Sequence, residues 1–269
     1  MIGRVPDVGY ILVGCRLLAG GDGMAIAADE ETRAFVTGRE GFLVFLKEWG
    51  RTLPALRLAE VINDAGGLEN VAIVCEDLVV GFCGAGPLAS PRVAGIVRPI
   101  VELFELAHSL GVRRFVLPQD AHSVDSLEFE AWGPHCVEGS AEAETVPELK
   151  GLPFSELFEV IPKQNLSPGV VGRFTDWLDS HGSVRRFVVV GDCTDLCVYQ
   201  AAMYLRLRAD QFRLGYEVTV PAECVDTFDI SLEEARRLGI FPHDAELLHA
   251  LFLYHMALNG ILIVRALTA

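Results

Sequence analysis

Hydrophobic residues change their period along this chain. From residue 71 onward they gather in short runs at Val71–Glu76, Arg114–Leu117, Phe158–Ile161, Phe187–Val190, Val218–Val220 and Ile261–Val264. Runs of this length and composition read as strands buried on both faces. Between them apolar residues recur every three or four positions. That spacing predicts helices over Leu56–Ala65, Val93–Leu110, Val170–Asp179, Asp195–Arg208, Leu232–Leu238 and Ala245–Leu258. Strands alternating with helices imply right-handed crossovers and a mostly parallel α/β sheet with helices on both faces.

The first 56 residues follow a different pattern. Tyr10–Leu18 reads as a strand, Gly20–Gly23 as a turn and Met24–Val36 as a mixed strand pattern. Phe42, Phe45, Leu46 and Trp49 then recur at helical spacing. The expectation is a β-hairpin followed by one helix over residues 1–56, ahead of a main domain over 57–269. Such an extension is a candidate for packing on the main domain, for an oligomer contact, or for covering a site.

Composition narrows the class. With 269 residues, 51% of them hydrophobic, the chain can bury a sizeable core. A net charge of −15 argues against nucleic acid as a partner, because phosphate binding needs clustered Lys and Arg. No apolar run is long enough to span a membrane. The seven cysteines are odd in number and irregular in spacing, and no signal-peptide pattern opens the chain. Reduced thiols in a cytoplasmic protein are expected. Lysine is scarce, at Lys47, Lys150 and Lys163 alone.

In parallel sheets the chemistry sits beyond the carboxyl ends of the strands. Asp77 follows the strand ending at Glu76. Asp120 and His122 follow the strand ending near Leu117, Lys163 the strand ending at Ile161, and Cys197 the strand ending at Val190. In VVVGDCTDLCVYQAAMYLR, Gly191–Thr194 forms the turn, Thr194 is a candidate N-cap, and Cys197 falls in the first helical turn. The helix dipole there favours a thiolate. Asp120 and His122, two apart in an extended segment, share a face. With His135 they offer a ligand set suited to Zn²⁺, Mn²⁺ or Fe²⁺. Bland alternatives stand beside each reading. Cys197 is also a small core residue, Asp77 a loop cap with Glu76 as the base, Lys163 a solvated strand end, and Asp120–His122 a simple hydrogen bond.

Four segments, EDLVVGFCGAGPLA, QDAHS, WGPHCVEGSAEAE and CTDLCV, occur in an order and at separations that resemble the isochorismatase-like cysteine hydrolases, and among them the nicotinamidase-type amidases. The resemblance runs from about residue 70 to about residue 225. It implies a three-layer αβα fold around a mostly parallel six-stranded sheet. It implies a catalytic triad of Asp77, Lys163 and Cys197, with the backbone amides of Cys193 and Cys197 as oxyanion donors and a cis peptide joining Asp192 to Cys193. It further implies a divalent metal, Zn in the first place and otherwise Mn or Fe, on Asp120, His122 and His135, and a ring-stacking role for Trp132; Phe82, near the aspartate loop, is a second candidate for sandwiching a planar substrate, with core packing the alternative. The expected reaction is hydrolysis of a small planar amide, with nicotinamide the first candidate. Rival readings are an amidase for a carbamoyl or ureido compound, an isochorismatase-type vinyl-ether hydrolase, and a non-catalytic binding or assembly member. Cys197 speaks against the vinyl-ether branch, which does not use this nucleophile. The sequence departs from the nicotinamidase pattern after the first metal pair. There a further histidine and a serine are usual, and here SVDSLEFEAW brings Ser126 and Glu128, the latter a candidate extra ligand. It departs again at Cys193, where a small apolar residue is usual.

Overall fold

The computed structural model describes residues 29–269. The chain enters through α1 (Glu30–Thr37) and α2 (Glu40–Arg51), then a three-residue strand β1 (Ala55–Arg57) and α3 (Leu58–Asp64). Next come β2 (Val71–Glu76), α4 (Val80–Cys83), α5 (Pro91–Leu110), β3 (Phe115–Asp120), α6 (Phe129–Trp132), α7 (Pro147–Lys150) and β4 (Phe158–Lys163). The remaining elements are α8 (Gly172–Ser180), β5 (Arg186–Asp192), α9 (Cys197–Phe212), β6 (Glu217–Pro221), β7 (Val225–Asp226), α10 (Leu232–Leu238), α11 (Ala245–Leu258), β8 (Leu262–Val264) and β9 (Ala266–Thr268).

The main sheet runs β4-β3-β2-β5-β6-β8, and every pair in it is parallel. The two-residue β7 adds to the end of β5, pairing Gly191 with Val225 and Asp192 with Asp226. Strands β2, β3 and β4 march to one side, and the chain then crosses back to place β5 on the other side of β2. The switch point therefore lies between β2 and β5, the position where doubly wound sheets open a crevice. Both strands are buried along their whole length, which is why they carry unbroken apolar runs.

Side-chain alternation divides the core in two. Ile73, Cys75, Val188 and Val190 face α5 through Ile96, Ile100, Leu103 and Phe104. Ala72, Val74, Phe187 and Val189 face α8 and α9 through Phe174, Trp177, Val198 and Ala201. This is the expected three-layer αβα arrangement. Helix α5 shows how local sequence sets an element's limits. Ser90 caps it by accepting from the Arg92 amide, Pro91 starts it, and Gly111 ends it in the left-handed region at φ 105°. Gly191 is a tighter constraint. It lies at φ 110°, and a Cβ there would sit 1.9 Å from the Glu76 carbonyl oxygen, so the central strands close together only around glycine.

Three expectations need correction. The mixed strand pattern at Met24–Val36 gives way to a helix from Glu30, because Asp29 caps the Thr32 amide and two glutamates follow in the first turn. The strand expected at Tyr10–Leu18 and the turn at Gly20–Gly23 lie outside the described residues. The helix expected from Leu56 begins at Leu58, because Ala55–Arg57 pairs in parallel with Ala266–Thr268. Thr194 does not cap α9. Leu196 occupies that position without a side-chain bond, and the Thr194 hydroxyl lies 2.8 Å from His249 Nδ1. Helix α2 packs its Phe42, Phe45 and Trp49 rings around Tyr254 of α11, with centroids 5.3–5.7 Å apart. Among the described residues no helix is long and apolar enough to cross a membrane.

Candidate active site

Four strands deliver polar groups to one rim. Asp77 follows β2 in the left-handed region at φ 51°, a conformation Asp adopts more readily than most residues. The turn aims its carboxylate at β3 and β4. Its Oδ1 accepts from the Asp120 amide at 2.8 Å, and its Oδ2 lies 2.7 Å from Lys163 Nζ. Lys163 ends β4 fully buried and also donates to Asp120 Oδ1 at 2.5 Å and to Cys197 Sγ at 3.5 Å. The amine singled out from sequence therefore touches both the acid and the sulfur. Cys197 opens α9 and is buried, with 5% of its surface exposed. Hollows of about 370 and 420 Å³ lie elsewhere, beside Arg173 and Trp177 and beside Val80 and Pro147, and contain none of these groups.

The turn from β5 to α9 includes a cis peptide between Asp192 and Cys193, as the resemblance implied. The amides of Thr194, Leu196 and Val198 are consumed by Asp226 and Cys193 carbonyls. Those of Cys193 and Cys197 have no acceptor among the described residues, which leaves two donors free at the turn.

Burial decides the resting protonation. It pushes the Cys197 thiol well up, against the pull of Lys163, so the sulfur holds its proton. The thiolate expected from the helix dipole and the nearby ammonium is overruled by desolvation. Burial and the Asp120 charge push the Asp77 carboxyl up to about 6, while Lys163 and a hydrogen bond with Cys197 act the other way. Lys163 loses by burial but gains more from Asp120 and Asp77, and its pKa is raised. Asp120, despite burial, is held well below the usual carboxylate range by Lys163 and the two imidazoles. Glu76, the alternative base, is fully buried with both oxygens unpartnered, and it is Asp77 that meets Lys163.

Beside this knot lies a second cluster. Ligand atoms of Asp120, His122, Glu128 and His135 all fall within 4.8 Å of one another. Asp120 Oδ2 lies 3.4 Å from His122 Nε2 and 3.6 Å from His135 Nε2. His135 Nδ1 donates to the Gly133 carbonyl at 2.8 Å, and His122 Nδ1 lies 3.3 Å from Ser126 Oγ. Those outer bonds turn both Nε2 atoms toward Asp120. His122 Nε2 is buried without a hydrogen-bond partner, as a metal-ligating nitrogen would be before its ion arrives. Carboxylate and imidazole donors so placed fit a divalent transition metal.

The aromatic residues are split. Phe82 packs against His135 at 5.7 Å, and half-buried Trp132 ends α6 with its ring 6.1 Å from Phe228. Sequence reading missed Phe129, whose ring edges both His122 and His135 at 5.3 and 5.6 Å. Its place at helical spacing from Trp132 was the available signal. It also missed Asp192, a fully buried acid that desolvation pushes well above the carboxylate range.

Residues 71–247 match the Isochorismatase domain, and the chain belongs to that family of hydrolases. Nicotinamidase 1 of Arabidopsis thaliana is 32% identical over 202 residues, covering 69% of this chain and 82% of that protein. Nicotinamidase/pyrazinamidase of Mycobacterium tuberculosis is 26% identical over 180 residues, covering 63% of this chain and 96% of that protein. In fold, the crystal structure of N-carbamoylsarcosine amidase from Thermoplasma acidophilum superposes with a TM-score of 0.53 at 23% identity, covering 73% of this chain and 96% of the other.

Proposed function

We propose that the protein is a cysteine-dependent amidohydrolase that releases ammonia from a small planar amide, with nicotinamide the first candidate. The observation that carries this is the contact of Lys163 with both Asp77 and Cys197 at the switch point of the sheet. Asp77, raised to about 6, is matched to general-base work near neutrality. It takes the thiol proton as Cys197 attacks the amide carbon. The C–S bond forms, and the carbonyl electrons move to oxygen, where the free amides of Cys193 and Cys197 receive them. Asp77 returns the proton to the amine, the C–N bond breaks, and ammonia leaves a thioester. Water, deprotonated by Asp77, then adds to the thioester and expels the thiol. The balance is amide plus water to acid plus ammonia. Lys163 stays charged and offsets the negative charge that passes between carboxylate and sulfur.

Asp120, His122 and His135, with Glu128 beside them, are the residues that would hold a divalent ion. Such an ion, when bound, supplies a Lewis-acid contact for a donor atom on the substrate, such as a ring nitrogen. Trp132 and Phe82 supply flat apolar surface for the ring.

A second reading, hydrolysis of a carbamoyl or ureido amide, draws support from Glu128, an acid where nicotinamidases usually bring histidine. Ammonia release from a panel of aromatic, carbamoyl and ureido amides, with and without added divalent metal, separates the two. Turnover of nicotinamide above the carbamoyl compounds is expected. A metal-replete sample that hydrolyses no amide would overturn both in favour of a non-catalytic binding member.

A further inference from the structure

The segment after β7 links the turn before α9 to Trp132 through a series of side-chain contacts. Asp195 lies in the turn between Cys193 and Cys197, and its Oδ2 is 2.8 Å from His243 Nε2. His243 Nδ1 is 2.8 Å from the Phe228 carbonyl oxygen. Both ring nitrogens thus face pure acceptors, an arrangement satisfied only when both carry protons. The charged groups facing this imidazole are Asp195 from the turn and Asp229 from the adjoining loop. The imidazole stacks on the Phe228 ring with centroids 3.9 Å apart at 21°. A cationic ring on an aromatic face is itself attractive. Phe228 also meets the Trp132 ring edge-on at 6.1 Å and 85°.

The backbone holds the same residues in place. Ile230 and His243 exchange both amide hydrogen bonds, at 2.8 and 2.9 Å, and so tie the neck of the loop that carries α10. On the other side, β7 pairs with the end of β5, and the Thr194 amide donates to the Asp226 carbonyl at 3.0 Å. Phe228 is therefore fixed between the turn that presents Cys193 and Cys197 and the tryptophan three residues before His135.

We propose that Phe228, in edge contact with Trp132, extends the aromatic wall of the site and contacts substrate, and that His243, anchored by Asp195, is the positioning residue that sets the Phe228 ring. This rests on the amidohydrolase reading and adds a determinant of selectivity for planar aromatic substrates. A wall of this kind binds ground state and transition state alike, so its loss raises KM and leaves kcat.

The test uses the full chain with nicotinamide. Phe228→Ala is expected to raise KM about tenfold with kcat within about threefold. Phe228→Tyr, which keeps the ring, restores KM. His243→Ala reproduces the KM defect alone but adds little on the Phe228→Ala background, because it acts through that ring. Phe228→Leu, which keeps apolar bulk, serves if the alanine variant folds poorly. A KM within twofold of wild type for Phe228→Leu and Phe228→Ala, or additive effects in the double variant, overturns the proposal. A second readout does not depend on turnover: the rate of Cys197 alkylation by N-benzyl iodoacetamide relative to iodoacetamide. Loss of that preference in Phe228→Ala, in a protein that hydrolyses no amide, would sink the amidohydrolase reading and leave the wall standing. An unchanged preference in an active enzyme would do the reverse.

Discussion

The Asp77–Lys163–Cys197 knot and the Asp120–His122–His135 cluster share one carboxylate, yet they are satisfied in opposite ways. In the knot every charge has its opposite within the protein: one ammonium sits between two carboxylates at 2.5 and 2.7 Å. In the cluster the ligand atoms converge on one another, and His122 Nε2 has no hydrogen-bond partner. Asp120 belongs to both, giving Oδ1 to Lys163 and turning Oδ2 to the imidazoles. The difference is instructive. The knot is complete as folded and its removal is felt as lost chemistry and lost stability, whereas the cluster gains its meaning from something added.

The largest break in that comparison is at the sulfur. Cys197→Ala removes the atom proposed to bond to the substrate carbon, and ammonia release is expected to fall by at least about 10⁴-fold. Metal binding at the cluster, followed by calorimetric titration, should survive. Retained ammonia release in this variant would show that the thiol is not the nucleophile.

Next in size is Lys163→Met. It leaves Asp77 and Asp120 buried without a counter-charge, a loss worth about 3–5 kcal/mol when one partner of a buried ion pair is deleted. Urea unfolding of the metal-free protein should show it as a fall in midpoint. A change below about 1 kcal/mol would mean that the two acids simply take up protons, and that the ammonium is not what holds them charged.

How much of this contrast was legible in the sequence depends on range. Short apolar runs marked β2 and β5, and Leu232–Leu238 and Ala245–Leu258 are helices over the residues their spacing predicts. The strand-end rule gathered Asp77, Asp120, Lys163 and Cys197 because a parallel sheet collects whatever follows its strands. What escaped was long-range. Ala55–Arg57 and Ala266–Thr268 are too short to show alternation and become strands only because each supplies the other's hydrogen bonds. The thiol's retained proton depends on burial from all sides, which no local pattern around Cys197 reports. Phe228 falls outside every predicted element and Asp195 reads as the start of a helix, until the fold sets His243 between them.

His122→Leu sharpens the comparison from the other side. His122 Nε2 has no hydrogen-bond partner, its polar neighbour Asp120 Oδ2 lying 3.4 Å away, and leucine has similar bulk, so unfolding of the metal-free protein should change by less than about 1.5 kcal/mol. Divalent-metal affinity should nevertheless drop by more than about 100-fold, since an inner ligand outweighs the outer partners whose loss alone costs 10–100-fold. A large destabilisation without metal would show that the cluster is structural in its own right.

The smallest effect is expected one bond further out. Ser126 Oγ lies 3.3 Å from His122 Nδ1 and also accepts from the Glu128 amide at 3.3 Å, so one hydroxyl orients an imidazole and the loop that carries the neighbouring acid. Ser126→Ala keeps all four ligand groups and removes the hydroxyl that contacts His122 Nδ1. Metal affinity should fall by about tenfold, with unfolding of the metal-free protein nearly unchanged. The Lys163 knot does not touch Ser126, so alkylation of Cys197 by iodoacetamide in the metal-free protein should proceed at the wild-type rate. If that rate moves with Ser126, the two halves of the site are coupled through more than their shared aspartate, and the division between a self-satisfied knot and an open cluster fails.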